Sequence, residues 1–185
     1  PAPVVWFVDG VRRMEARAWL TNADGTTAPA LIASWAAGAI RCNDAAVIER
    51  CEVQRGLFSA DRRTEGITAG NGTMVFAPRY AQSDSDAGLR NALQAAMRAT
   101  EFDIARDVGD PDDLVFLDGP VRGRTHGRTV GYIKTQQVTY LSEALRKTVE
   151  QLAVGERTPL FLTRSENWQH WSWYLRLSDD GGHPW

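Results

Sequence analysis

Two aspartates stand in the same local pattern at distant points of the chain. Asp9 follows the apolar run at residues 4–8, Asp118 follows the run at 114–117, and each aspartate is followed by a glycine. Short, unbroken apolar runs are typical of strands that are buried on both faces of a sheet. We therefore expect two central strands to bring two carboxylates to one sheet edge, where carboxylate oxygens can bind a divalent cation.

A third carboxylate, Glu101, is expected to join them from a helix. Residues 83–106 have the apolar spacing of an amphipathic helix that begins at Ser83 or Asp84. At roughly 100° per residue, Glu101 lies about 40° from Met97, at the edge of the apolar face. By the same arithmetic Asp103 is about 120° from Met97 and should face water. The apolar face of this predicted helix comprises Leu89, Leu93, Met97 and Ile104.

The three acids suggest a metal-assisted reaction on a phosphodiester. Carboxylates gathered at one place repel each other, so a cation is needed to keep them ionised. Their hard oxygen atoms suit Mg²⁺ or Mn²⁺, and two such ions can activate a water and stabilise the leaving oxygen. A basic loop supplies local positive charge for a phosphate backbone. Its cations are Arg122, Arg124 and Arg128, with Lys134 beyond them.

The elements that must position these residues are read from the same patterns. We expect three antiparallel strands from the N-terminus, at residues 4–8, 12–21 and 30–41, with a turn at 22–25. Weaker strand patterns follow at 47–58 and 66–78, a strand at 130–134, an amphipathic helix at 139–152 and a closing hairpin built from 159–162 and 171–177. We interpret residues 1–185 as one domain, shortened at the C-terminus.

Composition excludes some classes of protein and leaves others open. The net charge of −2 gives no global sign of nucleic-acid binding. No apolar run approaches the roughly 20 residues of a membrane helix, and no signal peptide is visible. Cys42 and Cys51 have no metal-binding spacing, so we expect two buried thiols in a cytoplasmic protein. The tryptophans at 168, 171 and 173 are expected to pack in the core, and His126 to lie on the surface.

The order of these motifs resembles the NurA nuclease family. The quoted pieces are Val-Asp-Gly at residues 8–10, the helical Glu101, Phe-Leu-Asp-Gly-Pro at 116–120 and Val-Gly-Tyr-Ile-Lys-Thr at 130–135. The resemblance implies an α/β fold, a ribonuclease H-like mixed sheet flanked by helices and related to the PIWI domains of Argonaute proteins. It also implies Mn²⁺- or Mg²⁺-dependent exonuclease activity on DNA, often with endonuclease activity on single strands. Such proteins act as homodimers with a hexameric HerA-type ATPase in DNA end processing and repair.

The resemblance also implies roles for particular residues. Asp9 matches the first metal ligand, Glu101 the helical glutamate and Asp118 the aspartate of the later central strand. Lys134 matches the lysine that follows that strand and would contact the scissile phosphate. The family has a further acidic or histidine ligand in a last helix. This sequence shows no such helix: either the C-terminal tail has been cut, or His183 in that tail serves as the ligand, or the chain is a reduced relative.

Two other interpretations stay open. The chain can be an inactive ribonuclease H-like module that binds DNA or a HerA-type ATPase. It can also be a hydrolase or transferase of another kind, in which the Asp-Gly turns are only structural. The sequence contains no Gly-x-Ser-x-Gly, P-loop, His-Glu-x-x-His or Cys-x-x-Cys motif that would support this last interpretation.

Overall fold

The computed structural model describes residues 4–21, 24–121, 127–133, 140–165 and 168–178. These residues form an α/β protein with a mixed seven-stranded sheet, a separate hairpin and two helices. The elements in chain order are β1 (Val5–Thr21), β2 (Thr27–Cys42), β3 (Ala46–Ser59), β4 (Ile67–Ala69), β5 (Met74–Tyr80), α1 (Asp86–Asp107), β6 (Leu114–Asp118), β7 (Arg128–Tyr132), α2 (Glu143–Glu150), β8 (Phe161–Ser165) and β9 (Trp168–Ser172). The chain divides into two compact units.

The first unit contains the large sheet and α1. Its strand order is β4-β5-β3-β2-β1-β6-β7. β1 pairs antiparallel with β2 and β2 antiparallel with β3, whereas β6 runs parallel to β1 on its other side and β5 runs parallel to β3. Three antiparallel strands therefore begin the fold, but they are β1, β2 and β3 and not the three expected at 4–8, 12–21 and 30–41.

The boundaries of these strands differ from the predicted ones. Residues 4–8 and 12–21, which we expected to be two strands, belong to the single strand β1. Gly10 does not turn the chain, because its pairing with Ala37 continues the ladder to β2. The ladder is interrupted only by a bulge between Met14 and Ala16.

Helix α1 covers one face of this sheet. Its N-cap is Ser85, whose side chain accepts a hydrogen bond from the Gly88 N–H, so the helix begins slightly later than predicted. Trp35 of β2 donates its indole N–H to the Thr100 hydroxyl at 3.0 Å. Burial of each large apolar side chain in this core contributes about 1.5–3 kcal/mol. The cluster between α1 and the sheet comprises Leu31, Ala33, Trp35, Phe58, Ala81, Leu89, Leu93 and Met97.

The other face of β1 is more open, which corrects one prediction. We expected the run 4–8 to be buried on both faces. Val8 is 2% exposed, but Phe7 is 47% exposed because α1 covers only the face to which Val8 points. Phe7 stacks instead on Phe116 of β6, with ring centroids 5.3 Å apart.

The cysteines are not both buried, so that prediction is wrong. Cys51 is exposed and Cys42 is partly exposed. Cys51 pairs with Gly38 and therefore lies on the face of the sheet opposite α1, while Cys42 is the last residue of β2.

The second unit comprises residues 119–121 and the chain from Tyr132 onward. It contains α2, which is shorter than the predicted helix, and an antiparallel hairpin in which Phe161 of β8 lies opposite Ser172 of β9. The predicted hairpin therefore exists with shifted boundaries. Trp171 is 67% exposed, so the expectation that it packs in the core is wrong. No described helix is both long and apolar enough to cross a membrane.

Candidate active site

The parallel pairing of β1 and β6 places Asp9 and Asp118 at neighbouring positions. Val8 lies opposite Leu117, and the two aspartates are the next residues of their strands. Both aspartates are exposed. Because side chains alternate along a strand, they lie on the same sheet face as the stacked Phe7 and Phe116.

Glu101 approaches the same point from the other face. It is only 6% exposed although it lies in the last two turns of α1, which confirms that it points from the edge of the buried face. Asp103, two residues further on, has a side chain that is 55% exposed, as predicted.

Gly10 is the point of contact between α1 and β1. A Cβ atom on this glycine would lie 2.5 Å from Oε1 and 3.0 Å from the carboxyl carbon of Glu101. It would also lie 3.0 Å from Cγ of Met97. Separations this short are not tolerated between packed atoms, so the absence of a side chain at Gly10 is what lets the carboxylate lie against the strand.

The pKa of Glu101 depends in part on the two aspartates. Burial raises the pKa of Glu101 from its ordinary value of 4.5 to about 7, and the negative charges of Asp9 and Asp118 add to this increase. The positive charge of Arg98 and the N–H of Gly10 act in the opposite direction. The three predicted acids are thus close enough to repel each other, and a strongly raised pKa is typical of functional sites.

The three carboxylates are nevertheless not arranged as a complete metal-binding site. Within the described part of the chain, no group of three or more His, Cys, Asp and Glu residues is placed to hold a metal ion. Asp9 and Asp118 lie on one face of the sheet and Glu101 on the other, with Gly10 between them. The Asp9 Oδ1 accepts a hydrogen bond from the Gly10 N–H at 2.8 Å, which directs this carboxylate toward its own backbone. The donor atoms suit Mg²⁺ or Mn²⁺ in type, but as placed they do not form such a group.

The remaining predicted site residues do not join the three carboxylates in the described part of the chain. Arg128 is exposed at the start of β7, and its guanidinium donates to the Asp112 carbonyl at 3.1 Å. It therefore ties β7 to the loop before β6. The other predicted residues lie outside the described part of the chain. They are the cations Arg122, Arg124 and Lys134, the surface histidine His126 and the C-terminal ligand His183.

The sequence predicts a strand that ends at Asp9-Gly10 and a close approach at Gly10; the close approach is confirmed, with Glu101 as the group, but β1 continues through Gly10 to Thr21. One further residue that matters at this site is missed by the sequence analysis. Arg98 was not singled out, although its charge opposes the increase in the pKa of Glu101. Its spacing was a usable signal, because residues three apart on a helix are neighbours.

The fold and the site define an α/β protein with three electrostatically coupled carboxylates at the junction of β1, β6 and α1. Comparison of the chain with protein-family models and with curated proteins gives no match in either case.

Proposed function

We propose that this protein is a metal-dependent deoxyribonuclease with a ribonuclease H-like core, similar to the NurA nucleases and active in DNA end processing. The observation that carries the proposal is the environment of Glu101. Its carboxyl group is buried against Gly10, and its pKa is raised to about 7 by burial and by the charges of Asp9 and Asp118. Such a cluster is costly in the ionised state unless a cation neutralises it.

The arrangement of the sheet supports the ribonuclease H-like assignment. Three antiparallel strands come first, β4 and β5 then extend the sheet beyond β3, and the chain crosses through α1 to β6, which pairs parallel with β1. The two aspartates thus come from rigid, adjacent strands and the glutamate from the crossover helix. The described part contains two helices, and the proposal extends to further helices only by resemblance.

The three carboxylates share the task of metal binding in the proposed reaction. Asp9, Asp118 and Glu101 would hold Mn²⁺ or Mg²⁺, which would supply an activated water and stabilise the leaving oxygen of the phosphodiester. Glu101 must release its proton before it can serve as a ligand, so metal binding is expected to be weaker below neutral pH. Lys134 is proposed to contact the scissile phosphate and His183 to complete the ligand set.

The proposed compartment, partners and DNA contacts come from the resemblance to the NurA nucleases. The protein would act in the cytoplasm as a homodimer with a HerA-type hexameric ATPase, and the basic residues Arg122, Arg124 and Arg128 would contact DNA.

Cleavage of labelled DNA tests the proposal directly. Single- and double-stranded substrates are incubated with the protein and Mn²⁺, Mg²⁺ or chelator. We expect cleavage with metal only, and a loss of about 100-fold or more in Asp9→Ala and Asp118→Ala, because the acids position the ions. Asp103→Ala is the matched control, since this carboxylate is exposed on α1. Full activity in either strand variant, with circular dichroism unchanged, would remove the proposal.

A second function is favoured by one specific observation. The described residues contain no group of side chains already placed to hold a metal ion. An inactive ribonuclease H-like module that binds DNA or an ATPase would show this feature. It would bind DNA equally well in chelator and in Mn²⁺, and no preparation would cleave it.

A further inference from the structure

The edge of β1 that faces away from β2 is paired along only part of its length. β6 pairs with this edge from Val5 to Val8, and among the residues that the structure describes no strand pairs with it beyond that point. β1 itself continues to Thr21. Residues 10–21 therefore present an open sheet edge, which is about 40 Å long at roughly 3.3 Å per residue.

One backbone hydrogen bond shows which groups of β1 point to this edge. The Val4 carbonyl accepts from the Leu114 N–H at 3.1 Å, so even-numbered residues in this part of β1 direct their N–H and C=O groups to the β6 side. Beyond β6 and before the bulge, these are Gly10, Arg12 and Met14. The Gly10 N–H donates to the carboxylate of the preceding residue at 2.8 Å. Arg12 and Met14 have no backbone hydrogen bond on this side with any described residue, so both can pair with an added strand.

A groove lies beside this edge, between β1 and α1. Arg12 and Met14 line it from the strand, Arg90 and Leu93 line it from the helix, and its volume is about 160 Å³. The side chains of a strand added to the edge would alternate between the two sheet faces, and those on the α1 face would enter this groove. The open edge and the groove are therefore placed to receive one extended segment together.

The charge beside the groove favours an acidic occupant. Arg12, Arg17 and Arg90 supply positive charge, and Asp86 opposes them through contacts of 2.6 Å with Arg17 and with Arg90. Arg12 is exposed and makes no hydrogen bond or ion pair with any residue that the structure describes. Glu101 lies further along α1 and is not part of the lining. A second copy of this chain would bring the same arginines to the shared edge, where like charges on facing strands are destabilising.

We propose that the open edge of β1 binds an extended, acidic segment of a partner protein as an additional β-strand. The N–H and C=O groups of Arg12 and Met14 hold its backbone, as in other cases of strand addition to a sheet edge. An acidic side chain lies beside Arg12, whose guanidinium can donate two parallel hydrogen bonds to a carboxylate. An apolar side chain two residues away lies beside Met14 and Leu93, because alternate residues share one face of a strand. This binding needs no metal and does not rest on the proposed function.

Binding of the fluorescein-labelled peptide Thr-Glu-Thr-Leu-Thr-Glu-Thr, followed by anisotropy, tests the inference. Its glutamates and leucine share one face when it is extended, and its sequence is the same in both directions, so it suits a parallel or an antiparallel strand. Arg12→Glu is expected to weaken binding about three- to tenfold, because an attractive charge pair becomes a repulsive one. The same variant should bind more tightly a peptide in which both glutamates are replaced by lysine.

Arg13→Glu is the matched control for this variant. Arg13 is the next residue of β1, but it pairs with Ser34 whereas Arg12 pairs with Trp35, so it lies on the opposite face. Its side chain is 80% exposed and pairs with Glu15. At about 0.15 M salt, where exposed charges are screened within roughly 8 Å, we expect its affinity for the peptide to remain within about twofold of the parent protein.

Two N-methylated forms of the peptide test whether its backbone pairs with β1. One form is methylated at the glutamates and the leucine and the other at the threonines between them, because the N–H groups of these two sets point to opposite edges of an extended strand. One form is expected to lose binding and the other to retain it.

The inference is overturned if both methylated forms behave alike, if a scrambled peptide of the same composition binds as tightly, or if Arg13→Glu weakens binding as much as Arg12→Glu. Absence of peptide binding overturns it as well. In that case sedimentation would show whether a second copy occupies the edge, as a dimer sensitive to Arg12→Glu, and anisotropy with labelled DNA would show whether a nucleic-acid strand binds there instead.

Discussion

Gly10 of β1 and Glu101 of α1 are packed so closely that a Cβ atom on the glycine would lie 2.5 Å from the carboxylate Oε1. The contact fixes the last two turns of α1 against the strand that carries Asp9. It also removes water from the carboxylate, which is the largest cause of the increase in the pKa of Glu101. A single missing side chain thus sets both the geometry and the charge state of the candidate site.

Replacement of Gly10 by alanine is expected to destabilise the fold. The new methyl group would overlap Glu101 and press on Met97, so the free energy of unfolding should fall by about 1–3 kcal/mol. Urea denaturation measures this change. The Gly10→Ala/Glu101→Ala double variant is the control, because removal of the carboxylate makes room for the methyl group. A double variant whose loss equals the sum of the two single losses would show that the two residues are not coupled.

Substitution of Glu101 by glutamine should change how stability depends on pH. The pKa of Glu101 in the folded chain, about 7, lies above its ordinary value of 4.5. The folded state therefore binds more protons than the unfolded state in this window, and the parent protein loses stability as pH rises from 4.5 to 7. Glutamine cannot ionise, so Glu101→Gln should gain about 1–3 kcal/mol on the parent between pH 5 and pH 8. Parallel stability profiles, measured by urea denaturation, would contradict this expectation.

Mn²⁺ is expected to stabilise the protein at pH 8 by relieving the same repulsion. A ligand at about 100 times its dissociation constant stabilises the folded state by about 2.7 kcal/mol. The midpoint of thermal unfolding should therefore rise with Mn²⁺ and fall back with chelator. The effect should disappear in Asp118→Asn and persist in Asp103→Asn, whose carboxylate is exposed on α1. An equal shift in both variants would show that the ion binds elsewhere.

The core elements of the site were predictable because their patterns are local. The apolar runs before Asp9 and Asp118 indicate buried strands, and the 100° helical period placed Glu101 at the edge of the buried face, where it is 6% exposed. The register between β1 and β6 was not predictable in the same way, since it depends on pairing between residues more than 100 positions apart. The sequence indicates which three acids lie together, whereas the fold determines which face of the sheet each of them occupies.

Other features depend on tertiary contacts that no local pattern contains. The pattern of residues 4–10 predicts a strand end and a close approach at Gly10, but it does not show that β1 continues to Thr21 or that Glu101 is the approaching group. The exposure of Phe7 and Cys51 depends on the fact that α1 covers only one sheet face. The position of Arg12 beside Arg90 and Leu93 likewise depends on which helix packs against its strand. In each case the missing information is the identity of the neighbouring element.

The hydrogen bond between Trp35 and Thr100 should control the position of Glu101, which is the next residue of the helix. Trp35 is 2% exposed and Thr100 is 4% exposed, and the indole N–H donates to the threonine hydroxyl at 3.0 Å. Thr100→Val keeps the shape but leaves the buried indole N–H without its acceptor, which costs about 1–3 kcal/mol.

Thr100→Val should therefore lower the free energy of unfolding in urea and also weaken the stabilisation by Mn²⁺, because α1 loses the contact that fixes its height over β2. Thr100→Ser retains the hydroxyl group and serves as the control, with most of the metal effect preserved. If Thr100→Val is destabilised but responds to Mn²⁺ like the parent, the hydrogen bond stabilises the core without positioning Glu101. A valine variant as stable as the parent would show that the buried indole has found another acceptor.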